Sequence, residues 1–158
     1  MTSKFILYSS PLLLLFAGIT IMEPWLYRNL LTSDDIENIQ QKEFKIIAHK
    51  GASGIAPENT MASFQAAIDI GVDIIELDVR QTKDEEIIVF HDQFLDRTTN
   101  GTGNVHEYTL EQLKQLDAGS WFSSKFSDQK IPTLKEVLDL VDGRCQVLIE
   151  IKHMEHPH

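Results

Sequence analysis

The chain holds one cysteine, Cys145, in 158 residues, which excludes an intrachain disulfide framework and any zinc centre built from several thiolates. Cys145 reads as a small residue at the start of a strand. Positive charge is also scarce. Fourteen Lys and Arg stand against 24 Asp and Glu, a net charge of −10, and no local basic patch offsets it. A nucleic-acid backbone would be repelled, so no nucleic-acid partner is expected. Internal repeats and low-complexity tracts are missing. The glycine-rich turn Asn100-Gly101-Thr102-Gly103 lacks the Gly-Lys-Ser/Thr ending of a P-loop, which removes that nucleotide cradle. What is present suffices for one ordinary domain: 42% hydrophobic residues for a core and a normal 24% charged.

Long apolar runs are limited to one, Phe5 to Met22, interrupted only by Ser9, Ser10, Pro11 and Thr20. It sits at the lower length limit for a membrane span. Trp25 and Tyr27 suit an interfacial aromatic belt, and no small-x-small cleavage site follows. Residues 1–30 are therefore expected to be an apolar helix that anchors the chain in a membrane, or an export signal. Lys4 and the amino terminus favour an inside N-terminus, with the remainder outside the cytoplasm, or secreted if the segment is cleaved. Residues 31–43 are polar and acidic, with Asp34, Asp35 and Glu37, and read as a linker or a short helix.

From Phe44 the pattern alternates. Strands are expected over Phe44–His49, Ile74–Val79, Ile87–Phe90 and Gln146–Lys152. A helix over Asn59–Ile70 carries Met61, Phe64 and Ile68 on one face and stops at Gly71. Capping boxes at Thr109/Gln112 and Thr133/Glu136 open two more helices. Residues 118–131 form an aromatic loop, with Trp121, Phe122 and Phe126, that reads as a lid or an insertion. Strands alternating with helices indicate an α/β architecture with a parallel sheet.

Each expected strand offers polar groups: His49 and Lys50, Glu76 and Asp78, His91 and Asp92, Glu150 and Lys152. In a strand, period-2 geometry sends Glu76 and Asp78 to one side and Ile75, Leu77 and Val79 to the other. Two adjacent carboxylates repel, so a cation between them relieves the pair. A structural ion pair with Lys or Arg serves the same need. In a parallel barrel the strand ends meet at one face, so the four groups can converge. Glu76, Asp78 and Glu150 form an all-oxygen set suited to Mg²⁺ or Ca²⁺. His49 and His91 beside it suit acid–base work, and Lys50 and Lys152 suit an anion. A divalent metal, cations and an acid–base pair together fit phosphate-ester cleavage.

The stretch HKGASGIAPENTMASFQAAIDIGVDIIELDVRQTKDEEIIVFHDQFLDRTTNGTG, continued by IPTLKEVL and LIEIK, resembles the glycerophosphodiester phosphodiesterase family over residues 44 to 152. The resemblance implies a TIM barrel and metal-dependent hydrolysis of a small glycerophosphodiester to glycerol 3-phosphate and an alcohol. It also implies Glu76, Asp78 and Glu150 as metal ligands and His49 and His91 as the acid–base pair. Glu58 of the Pro-Glu-Asn-Thr segment falls near substrate and metal, and Lys152 matches the lysine of the family's Glu-Ile-Lys segment. Lys50 stands where the family usually has Arg, which keeps the charge but gives up bidentate phosphate geometry.

A TIM barrel needs roughly 250 residues and eight strands. The expected domain, residues 44–158, is thus a truncated one with about the first four βα units of an incomplete barrel. Two alternatives follow: an inactive half-barrel inclined to self-associate through exposed sheet edges, or a phosphodiesterase acting on lysophospholipid-type substrates.

Overall fold

The computed structural model describes residues 44–152. The expected N-terminal helix over 1–30, the linker over 31–43 and the histidines of the tail (His153, His156 and His158) lie outside the described residues. Among the described residues no helix is long and apolar enough to cross a membrane.

Among the described residues, four strands and three α-helices run in the order β1 (Ile47–Ala48), α1 (Met61–Ile70), β2 (Ile74–Gln81), β3 (Ile87–Val89), α2 (Leu110–Gln115), α3 (Leu134–Val141) and β4 (Gln146–Ile151). The centre of the sheet is β2. It pairs in parallel with β1 through Ile47↔Ile74 and Ala48↔Ile75. On its other side it pairs in parallel with β4, from Ile74↔Gln146 to Val79↔Ile151. Its C-terminal end pairs with β3, with Val79 opposite Val89 and Gln81 opposite Ile87.

That last pairing corrects the expectation of four successive parallel βα units, because β3 is antiparallel. The cause is the length of the connection. Only Thr82 to Glu86 separate β2 from β3, whereas a parallel crossover needs a dozen or more residues. The turn is closed by Thr82 N–H donating to the Glu86 carbonyl at 2.9 Å, with Glu85 in the left-handed region at φ 66°. The described parallel strands are therefore β1, β2 and β4, and β3 folds back as a hairpin that delivers His91 to the sheet.

The period-2 expectation for β2 holds. Ile75, Leu77 and Val79 are buried in a core with Phe64 and Ala67 of α1 and Val137 and Val141 of α3. Each buried Val, Leu, Ile or Phe side chain among them contributes about 1.5–3 kcal/mol of transfer free energy. That packing fixes which face of β2 is left for Glu76 and Asp78. A second cluster, Ile88, Phe90, Leu95, Val105, Leu113, Ala118 and Ile131, packs beneath the hairpin and the loops that follow it.

The helix termini follow their caps. Thr60 opens α1 through a box with Ser63, and Gly71 closes it at φ 81°. Thr109 with Gln112 and Thr133 with Glu136 open α2 and α3 as the sequence requires. In the aromatic loop the rings of Trp121 and Phe122 stack edge-to-face at 5.7 Å, and Phe122 and Phe126 do the same.

Candidate active site

The inner face of β2 presents Glu76, Asp78 and Arg80 at alternate positions. Glu76 and Asp78 are buried at 7% and 0% exposure. Across the ladder Asp78 faces Glu150 of β4. One carboxylate oxygen from each of Glu76, Asp78 and Glu150 lies within 4.8 Å of the other two. Opposite ligands of a Ca²⁺ stand roughly twice its 2.3–2.6 Å bond length apart, so the span suits a hard divalent cation.

A buried carboxylate requires partners on both oxygens. Asp78 Oδ2 accepts from Asn59 Nδ2 at 2.8 Å, and the Asp78 N–H donates to Asn59 Oδ1 at 3.4 Å. Asn59 is in the left-handed region at φ 56°, which Asn tolerates better than most residues. Asp78 Oδ1 has no hydrogen bond, although Lys152 Nζ is 2.9 Å away. The two observations agree once direction is considered: the ammonium balances the charge but lies off the line a hydrogen bond needs. Lys152 also contacts Glu150 Oε1. Its ammonium therefore sits between two of the three carboxylates, which shows that the cluster accommodates a cation. Desolvation opposes the charged form of Lys152, but Glu150 and Asp78 outweigh it and raise its pKa.

The loop from β1 to α1 brings three further groups. The Lys50 N–H donates to Glu76 Oε2 at 2.8 Å, and His49 Nε2 lies 4.0 Å from the same oxygen, with 72% of the His49 side chain exposed. The Lys50 ammonium pairs with Glu58 at 3.1 Å. Gly51, at φ 77°, is required here, because a Cβ would stand 2.5 Å from Ser63 Oγ and 2.8 Å from the Ser63 carbonyl carbon.

The hairpin supplies the rest. His91 Nδ1 is 2.6 Å from Asp92 Oδ1. Arg97 donates to Asp92 through Nε at 2.6 Å and Nη2 at 3.0 Å, and to Glu58 through Nη1 at 3.0 Å and Nη2 at 2.6 Å. The Arg97 bonds hold the Asp92 carboxyl down at about 2, against desolvation, with His91 adding to the effect. An ionised Asp92 only accepts, so Nδ1 of His91 carries the proton and Nε2 is left with a lone pair when the ring is neutral. For Glu58, burial pushes the carboxyl up, but Arg97 and Lys50 together hold it below the usual range. Arg97 thus joins the loop after β1 to the loop after β3.

An open pocket of about 450 Å³ is lined by Arg80, His91, Asp92, Phe94, Arg97 and Lys152 among others. Of the residues singled out in the sequence, Glu76, Asp78, Glu150, Lys152 and His49 gather around one carboxylate cluster. Lys50 and Glu58 pair with one another, and His91 lies on the pocket. The aromatic residues 121, 122 and 126 do not line it. Sequence reasoning missed Asn59, Arg80 and Arg97, and left Asp92 without a role. Arg80 was within reach, since the alternation that selects Glu76 and Asp78 selects Arg80 next. Arg97 had no such signal.

Residues 49–156 match the glycerophosphoryl diester phosphodiesterase family. A glycerophosphodiester phosphodiesterase of Caldanaerobacter subterraneus subsp. tengcongensis is 53% identical over 108 residues, covering 68% of this chain and 44% of that protein. The crystal structure of a glycerophosphodiester phosphodiesterase from Agrobacterium tumefaciens str. C58 is similar at a TM-score of 0.69 and 45% identity, over 71% of this chain and 48% of that one. An Oleispira antarctica phosphodiesterase solved with the product sn-glycerol-3-phosphate is similar at a TM-score of 0.67 and 41% identity, over 69% and 44%. The chain spans less than half the length of the curated relatives it matches. These likenesses show that the α/β sheet of the described residues matches part of the fold of those relatives.

Proposed function

Because the chain belongs to the glycerophosphoryl diester phosphodiesterase family, we propose that it hydrolyses glycerophosphodiesters to glycerol 3-phosphate and an alcohol with the aid of a divalent metal. The observation that carries this reading is the meeting of Glu76, Asp78 and Glu150 within 4.8 Å, with His49 beside them and His91 on the adjoining pocket. The donor set is all oxygen, and one buried oxygen, Asp78 Oδ1, lacks a hydrogen bond. That combination fits Mg²⁺ or Ca²⁺ held by Glu76, Asp78 and Glu150. Such an ion would share the phosphoryl charge and polarise an oxygen.

The chain's own residues do the remaining work. Asp92 fixes the His91 tautomer, so His91 Nε2 accepts a proton from the attacking water as the water oxygen bonds to phosphorus. His49 donates a proton to the departing alkoxide as its bond to phosphorus breaks, with the Glu76 carboxylate 4.0 Å from its Nε2. Lys50, held by Glu58, and Lys152, held between Asp78 and Glu150, add positive charge at the phosphoryl site without an open donor edge. The apolar run Phe5–Met22 supports the further reading of a membrane anchor or export signal, with the catalytic domain outside the cytoplasm.

The test is release of glycerol 3-phosphate from glycerophosphocholine by the full chain. Turnover is expected with Mg²⁺ or Ca²⁺, to vanish with a chelator, and to fall at least about a hundredfold in Glu76→Gln. Metal-independent turnover, or an active Glu76→Gln, would refute the assignment.

A further inference from the structure

Two guanidinium groups line the pocket beside His91, and their situations are opposite. Arg97 is committed, with Nε, Nη1 and Nη2 all donating to Asp92 and Glu58. Arg80 is anchored by one bond, from its Nε to the His91 carbonyl at 2.9 Å. Among the described residues its Nη groups meet no acceptor. The other two cations offered for an anion are also engaged. Lys50 is on Glu58, with 11% of its side chain exposed, and Lys152 is between Asp78 and Glu150. The open N–H edge in this pocket therefore belongs to Arg80, which stands on the same face of β2 as Glu76 and Asp78.

We propose that Arg80 is a substrate-binding residue whose Nη edge takes two oxygens of the phosphoryl group. This rests on the reading of the pocket as a phosphodiester site. A planar guanidinium matches a phosphate with two parallel hydrogen bonds, which an ammonium cannot do. Lys50 and Lys152 supply point charges only, so the planar fork in this pocket comes from Arg80. Its anchor on the His91 backbone ties the phosphoryl grip to the residue that moves the proton.

The experiment titrates sn-glycerol 3-phosphate, and separately inorganic phosphate, into the full chain and its Arg80→Gln and Arg80→Lys variants. Isothermal calorimetry gives affinity, and thermal unfolding checks the fold. Arg80→Gln should weaken glycerol 3-phosphate about ten- to a hundredfold, the range of a charge-assisted pair, with an unchanged melting temperature. Arg80→Lys should recover part of that loss. If Arg80→Gln does not fold, Arg80→Lys decides, and wild-type affinity there overturns the proposal. Equal affinity in Arg80→Gln, no binding by the wild-type chain, or a loss seen for inorganic phosphate alone each overturns it too. Turnover of glycerophosphocholine is read independently. Arg80-dependent binding without turnover keeps Arg80 as the anion ligand and removes the hydrolytic reading. Turnover with Arg80-independent binding does the reverse.

Discussion

Asp92 is kept ionised by its neighbours, and this sets the sign of one acid-side effect. Its carboxyl is lowered to about 2 from an ordinary 3.8, first by Arg97. A folded value below the unfolded one gives stability that is complete above about pH 4 and is lost as pH falls from there towards 2. Glu58 is shifted in the same direction, so both partners of Arg97 act with one sign. Arg97→Gln should therefore lower the urea midpoint most near pH 6, with the gap to wild type closing near pH 2.5. A gap independent of pH would contradict the role given to these bonds. The same arrangement fixes the tautomer of His91. Asp92→Asn should reduce kcat by about a hundredfold, at the low end of what acid–base catalysis contributes. The ¹⁵N shifts of the His91 ring should change with it, and an unchanged ring spectrum would leave Asp92 without its orienting role.

At the scale of elements, the loop between β1 and α1 depends on one residue without a side chain. Gly51→Ala puts a Cβ against Ser63 at a positive φ, and should cost about 2 kcal/mol or more. Gly54→Ala, three residues on and facing open space, should stay within about 0.5 kcal/mol of wild type. Thermal melts of the two variants decide the matter, and equal melting temperatures would contradict the account. Much of this level was legible in the sequence. The alternation in IIELDV reported both the buried face of β2 and its carboxylates, because packing against α1 and α3 enforces period-2 geometry. The threonine caps reported two helix starts because the cap bonds are local. The direction of β3 was misread, since apolar pattern alone carries no strand polarity. The five-residue link before it did carry that information. Arg97 was not legible, because its partners Glu58 and Asp92 are brought together only by the folded loops.

At the scale of the whole sheet, β1 and β4 each pair on one side only among the described residues. Ile46 and Ile47 are exposed at the β1 edge, at 61% and 52%, and Leu148 and Ile151 at the β4 edge, at 51% and 71%. Unpaired edges with apolar side chains favour pairing with another chain. We propose that these edges allow self-association. Ile149→Lys with Ile151→Lys, on the outer face of β4, should shift light scattering towards monomer, and a wild-type chain that is already monomeric would contradict the expectation. Self-association and catalysis are separable, because Leu148 and Glu150 occupy the face of β4 shared with Asp78 while Ile149 and Ile151 occupy the other.

³¹P NMR of glycerophosphocholine incubated with the full chain tests whether the carboxylate cluster on β2 and β4 serves metal-dependent phosphodiester hydrolysis. With Mg²⁺ or Ca²⁺ present, the diester resonance should give way to the monoester resonance of sn-glycerol 3-phosphate, and addition of a chelator should halt the conversion. A diester signal that persists beside folded, metal-loaded protein would contradict the account.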